Sequence, residues 1–182
     1  MELSADFFQV IQDAVLRPDF ASAFGIFIAS TINEIFAVLP YNVILSGPLF
    51  FVEGSLSTAF ITKLFLFVAV PVGFGTALGS LLTYGLAYFG GKPAIDKFGK
   101  YLHLSWESVE KMESKFKGLW YDEILFLALR STPLMPSLPV NAAAGIIRMR
   151  LTNYLILTVL GAVIRMMIMF MLVGLSIGAL AQ

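Results

Sequence analysis

Three charged side chains stand where charges are rare. Glu34, Arg130 and Arg165 lie in stretches otherwise built from apolar, small and uncharged polar residues. A charge in hydrocarbon is costly unless it pairs, snorkels or faces water, so each marks a candidate functional position. Arg130 opens the run RSTPLMPSLPVNAAAG, with Pro133, Pro136 and Pro139 at three-residue spacing, then Asn141 and Gly145. Proline lacks the backbone donor and clashes with the preceding turn, so the chain is expected to break here. A broken helix end exposes backbone donors and acceptors, and a guanidinium beside such donors suits a phosphate. The alternative for Arg130 is a structural ion pair, with Glu34 as the partner. Arg165 falls near the middle of the last apolar stretch and could pair with Glu34 or Glu53, or snorkel from a tilted helix. Glu34 could relay protons or balance a buried arginine.

The elements that must hold these groups follow from where charges are missing. Residues 35–52 carry no charge but contain Pro40, Asn42, Gly47 and Pro48. Irregular backbone survives at membrane depth only when buried in protein or lining a cavity. Segments 35–52 and 128–147 are therefore expected to be re-entrant or broken helices that face each other, as in transporters built from repeats. Residues 64–91 contain no charge at all, and Arg165 is the only one from 151 to 182. Both stretches exceed the roughly 20 apolar residues of a spanning helix. Hydrophobic residues make up 58% of the 182-residue chain and charged residues 13%, about half the share in a soluble domain.

The expectation is thus an all-α integral membrane protein, one domain over 1–182. It comprises a first helical and re-entrant region (20–58), a transmembrane helix (60–91), a polar amphipathic connection (92–123), a second re-entrant region (124–147) and a C-terminal transmembrane helix (150–180). About three to four full crossings would fit at roughly 20 residues each. Pro71 reads as a simple kink. In the connection, Trp106, Val109, Met112, Phe116 and Trp120 recur at helical spacing, with Ser105 as a cap. Gly75 and Gly79 form a small-x-x-x-small pair for close helix packing, and Tyr84 offers a hydroxyl to a neighbour. Six lysines and six acids between 92 and 123 cancel, and the whole chain is neutral, so nothing favours nucleic acid. No cysteine is present and His103 is the sole histidine, so no metal site and no cofactor are expected.

Four stretches together resemble the DedA/VTT superfamily, also called SNARE-associated Golgi proteins. They are NEIFAVLPYN (33–42), GTALGSLLTYGLAYFGGKPAIDKFGKYL (75–102), RSTPLMPSLPVNAAAG (130–145) and IIRMRLTNYLILTVLG, whose Gly161 matches a recurrent glycine. The likeness covers roughly 25–175 and is nearest the VTT branch. Asn33 and Asn42 stand where many bacterial members carry carboxylates, and Pro136 stands where they carry a second arginine.

The resemblance implies movement of phospholipid or polyprenyl-phosphate lipid between leaflets, by a flippase or scramblase, with protons or another ion as coupling partner. The membrane would be the cell membrane in a prokaryote and an endomembrane in a eukaryote, and assembly into a homo-oligomer is left open. Arg130, Asn141 and Glu34 would act on the headgroup or in transport, with Pro40, Asn42, Gly47, Pro133, Pro136, Pro139 and Gly145 shaping the two breaks. A small-solute or ion transporter would use the same broken helices around a closed, water-lined cavity. A non-transporting scaffold would tolerate replacement of Arg130. An enzyme is not expected, because no serine has an evident base beside it in the sequence.

Overall fold

A computed structural model describes residues 2–36, 40–51, 57–116, 121–133 and 135–180. Every regular element among them is helical. Helix α1 (Glu2–Leu16) stops ahead of Pro18, and α2 (Phe20–Phe36) leaves the break at 120° to it. The start of α2 is fixed by a reciprocal cap. The Ser22 N–H donates to Asp19 Oδ1 at 2.7 Å and the Asp19 N–H donates to Ser22 Oγ at 2.8 Å. A short α3 (Tyr41–Ser46) follows and tightens into a 3-10 turn over Gly47–Phe51.

The central element begins with α4 (Thr58–Leu64), whose Ser57 cap accepts from the Phe60 N–H. It widens into a π turn at Phe65–Ala69 and continues as α5 (Val70–Phe98). The wide turn directly precedes Pro71 and absorbs the hydrogen bond that proline cannot make. So the residue read as a simple kink sits at a π bulge. Within α5 the helical backbone is interrupted at Gly91, the residue expected to end the transmembrane helix. Gly91 adopts φ 54°, ψ −147°, a backbone state open to glycine and strained for other residues. The bend lets Lys92–Phe98 continue as helix in the segment read as a connection.

Beyond a 3-10 turn at Gly99–Leu102 come α6 (Trp106–Glu113), α7 (Asp122–Ser131), α8 (Ser137–Ile146) and α9 (Leu151–Leu180). Ser105 caps α6 by accepting from the Ser108 N–H. Val109, Met112 and Phe116 are buried and Trp106 is half-buried, so this face packs on the bundle; Lys117 and Trp120 lie outside the described residues.

Small residues bring the helices together around α5. A Cβ at Gly75 would clash with Ser30 Oγ and the Phe27 carbonyl, and one at Gly79 with the Thr31 carbonyl, so both glycines lie against α2. Gly145 places α8 against Tyr84 and Ala87 of α5. One apolar cluster (Val15, Leu45, Leu49, Val68, Met166, Phe170) joins α1, α3 and the π turn to α9. A second (Tyr84, Phe126, Val140, Ala143, Tyr154) joins α5, α7, α8 and α9. The outer faces stay apolar. Phe74, Leu78 and Leu82 form an exposed stripe on α5, and Ile156, Leu160 and Ile164 form one on α9. Such stripes are covered by lipid, and the protein is an integral membrane protein.

Among the described residues two helices are long and apolar enough to cross, Thr58–Leu102 and Leu151–Ser176, or three spans if α1 and the bent α2 count as one, the lower end of the expected three to four. In 124–147 the break leaves α7 and α8 at ten residues each, about 15 Å, half a bilayer core.

Candidate functional site

The two interrupted regions meet. Helix α2 delivers Glu34 at its C-terminal turn, α7 delivers Arg130 in its last turn, and α8 delivers Asn141 from its middle. Glu34 Oε1 accepts from Arg130 Nη1 at 3.1 Å and from Asn141 Nδ2 at 2.8 Å. Arg130 is 1% exposed, Asn141 0% and Glu34 8%. The separations in sequence, 96 and 107 residues, make this the tie between the first broken region and the second. It also realises the alternative weighed for Arg130: the Glu34 ion pair exists.

That pair does not satisfy the guanidinium. Arg130 Nε and Nη2, and Asn141 Oδ1, are buried without a hydrogen-bond partner among the described residues, and so are Arg165 Nε and Nη2. Arg165 is 8% exposed on α9; of the two acids proposed for it, Glu34 is engaged by Arg130 and Asn141, and Glu53 lies outside the described residues. Buried donors of this kind are costly to leave unmade.

What they line is a cavity of about 850 Å³. Its inner wall carries Glu34, Arg130 and Arg165; Pro40, Tyr41 and Asn42 border it on one side, and Pro133, Pro136 and Pro139 on the other. Its far end reaches Lys100, His103 and Ser105 at the exposed junction of α5 and α6. Pro133 and Pro136 lie in the break between α7 and α8. Pro139 does not: it is in the first turn of α8, where a missing N–H costs no helical bond. Pro136 is the N-cap in extended conformation, with no side-chain cap, and since Pro136 and Pro139 carry no N–H, the first turn of α8 offers the cavity the N–H groups of Ser137 and Leu138.

The other residues singled out in the sequence are placed as follows. Gly47 follows α3 with nothing within 4 Å of a Cβ there. Tyr84 donates to the Met149 carbonyl ahead of α9 and stacks on Tyr154, ring centroids 4.3 Å apart. Gly161 touches the site itself: its Cβ would come 2.5 Å from Arg130 Cβ, so α9 passes directly against Arg130. Tyr41 was not singled out. It lines the cavity, and its hydroxyl donates to the Ile26 carbonyl at 3.1 Å, tying α3 to α2. The Pro-Tyr-Asn run was its only signal. No group of three or more His, Cys, Asp or Glu side chains comes together among the described residues.

Fold and site together define a helical membrane protein whose broken segments line an open cavity with two buried arginines in its wall. The VTT domain matches residues 20–175, and the chain belongs to that family, within the DedA/VTT superfamily. It is similar to undecaprenyl phosphate transporter A of Bacillus subtilis (strain 168), 30% identical over 105 residues, 58% of this chain and 51% of that one. It is similar to alkaline phosphatase-like proteins of Lactococcus lactis subsp. lactis (strain IL1403) and subsp. cremoris (strain MG1363). Each is 30% identical over 146 residues, 78% of this chain and 64% of theirs. The chain thus spans between half and two thirds of the length of these relatives. No solved structure matches it.

Proposed function

We propose that the protein moves a phosphate-bearing lipid between bilayer leaflets, with the headgroup held at Arg130. The observation that carries this is the buried Arg130 guanidinium, with Nε and Nη2 unpartnered, on a cavity that also receives the open N-terminus of α8. A planar guanidinium and a helix N-terminus both recognise phosphate oxygens. Glu34 holds Arg130 and is itself held by Asn141, and Glu34 is the acid through which a proton could be exchanged. Binding and release need no bond to be made or broken.

A lipid fits better than a small solute because of a neighbouring hollow. About 890 Å³ of apolar groove lies among α1, α2 and α3, lined by residues such as Ile11, Ala14, Ile26 and Leu45. Asn33 and Tyr41 line both spaces, so a polar cavity and an apolar one adjoin. An amphipathic molecule uses both. The similarity to a protein named as an undecaprenyl phosphate transporter supports the same reading.

The test is reconstitution into liposomes, with leaflet-selective quenching of a labelled phospholipid and of a labelled polyprenyl phosphate. The wild-type protein transfers at least one of them, with a transmembrane ion gradient if none moves without it. Folded, inserted Arg130→Ala protein does not. Transfer by Arg130→Ala at the wild-type rate refutes the role of Arg130, and failure of the wild type with and without a gradient refutes lipid movement.

A further inference from the structure

The cavity holds one more cation than its headgroup role at Arg130 requires. We propose that Arg165 is a second anion-binding arm, and that Arg130 and Arg165 together form a two-guanidinium cradle that selects net-anionic phosphate groups over zwitterionic ones. This rests on the phosphate-lipid reading above and adds the class of headgroup and a second residue.

Three observations converge. The first is charge. The buried ionisable side chains lining the cavity are Glu34, Arg130 and Arg165, two positive and one negative. An unpaired cation in a buried site is costly and is retained where an anion arrives to meet it. The second is hydrogen bonding. Arg165 presents buried, unpartnered Nε and Nη2, the same pair of atoms that Arg130 leaves open. Nε and one Nη make the two-pronged edge of a guanidinium that grips a phosphate. The third is register. Gly161 lies against Arg130 Cβ, and Arg165 follows it by four residues, one turn along the same face of α9. Glycine at 161 lets α9 come close enough for both guanidinium groups to reach one cavity.

Two guanidinium groups against one carboxylate leave the buried centre net positive, and Lys100 on the same cavity adds to it, so a phosphate bearing no compensating amine is favoured. A phosphocholine headgroup brings its own cation into the same space and is disfavoured.

The experiment uses purified full-length protein in detergent, with Arg165→Gln and Arg165→Lys beside it. The probes are dioctanoyl phosphatidic acid, dioctanoyl phosphatidylcholine and inorganic phosphate, read by ligand-induced change in melting temperature and by titration. The wild type binds the phosphatidic acid about tenfold or more tightly than the phosphatidylcholine, and Arg165→Gln brings the two towards parity. Arg165→Lys keeps the preference in part, because it restores charge without the fork. Without ligand, Arg165→Gln melts at or above the wild-type temperature, since it removes an unpaired buried charge. A lower ligand-free melting temperature with unchanged lipid preference would make Arg165 structural and overturn the proposal. Wild-type protein that binds neither lipid overturns the phosphate-lipid reading too, whereas a preference that survives Arg165→Gln overturns the cradle alone. Stabilisation by inorganic phosphate that Arg165→Gln loses supports the cradle and assigns the site to phosphate as such; stabilisation by the lipid alone assigns it to a headgroup.

Discussion

Replacing Glu34 by alanine should be the most damaging single change at the buried centre. Its Oε1 is the one acceptor shared by Arg130 Nη1 and Asn141 Nδ2. Removing it leaves a guanidinium that is 1% exposed with no partner among the described residues. Breaking a buried ion pair from one side costs about 3–5 kcal/mol in water-soluble proteins. Helices unfolded within a micelle or bilayer find other partners, which pulls the expected loss to about 3 kcal/mol, roughly a hundredfold in the unfolding equilibrium. Arg130→Ala strands the carboxylate instead and should cost a similar amount. The double variant strands neither charge, so its loss should fall below the sum of the singles by about 2 kcal/mol or more. Reversible unfolding in mixed micelles of increasing denaturing detergent measures all four proteins. Single losses below about 1 kcal/mol, or strict additivity, would refute a tightly coupled buried pair.

Other changes have defined outcomes. Gly79→Leu should separate α2 from α5, because the Thr31 carbonyl blocks even a Cβ; overpacking of this kind costs about 1–3 kcal/mol or more, and a melting curve checks it. Tyr84→Phe leaves the Met149 carbonyl without its donor, so a loss of about 1–3 kcal/mol is expected in the same measurement. Arg148→Gly relieves a non-glycine residue at φ 54° but gives up its cation–π contact with Tyr88, so the melting temperature should rise slightly or stay level, within about 1 kcal/mol.

Much of the site was legible because membrane chemistry makes charge conspicuous. Glu34 and Arg130 stood out against uncharged neighbours, and the proline spacing marked the break that positions Arg130. The small-residue pair Gly75 and Gly79 pointed to a close helix contact through its spacing alone. What stayed hidden depended on three-dimensional register. Nothing in a linear reading tells that Gly161 abuts Arg130, or that Arg165 has no ion pair among the described residues. Proline counts also misled: Pro139 looks like part of the break but begins a helix, since the first turn has no use for its N–H. Gly91 and Lys92 looked like a helix end. The backbone does leave helical geometry at Gly91; what the charge pattern did not tell is that a second helical stretch, ending at Phe98, follows the kink.

The central claim is that a phosphate sits at the buried arginine centre. An experimental structure of the protein with a short-chain phosphatidic acid tests it most directly. The account predicts phosphate oxygens within about 3.2 Å of Arg130 Nε or Nη2, between the break after α7 and the first turn of α8. A well-ordered lipid whose phosphate lies elsewhere, with only water against Arg130, would contradict it.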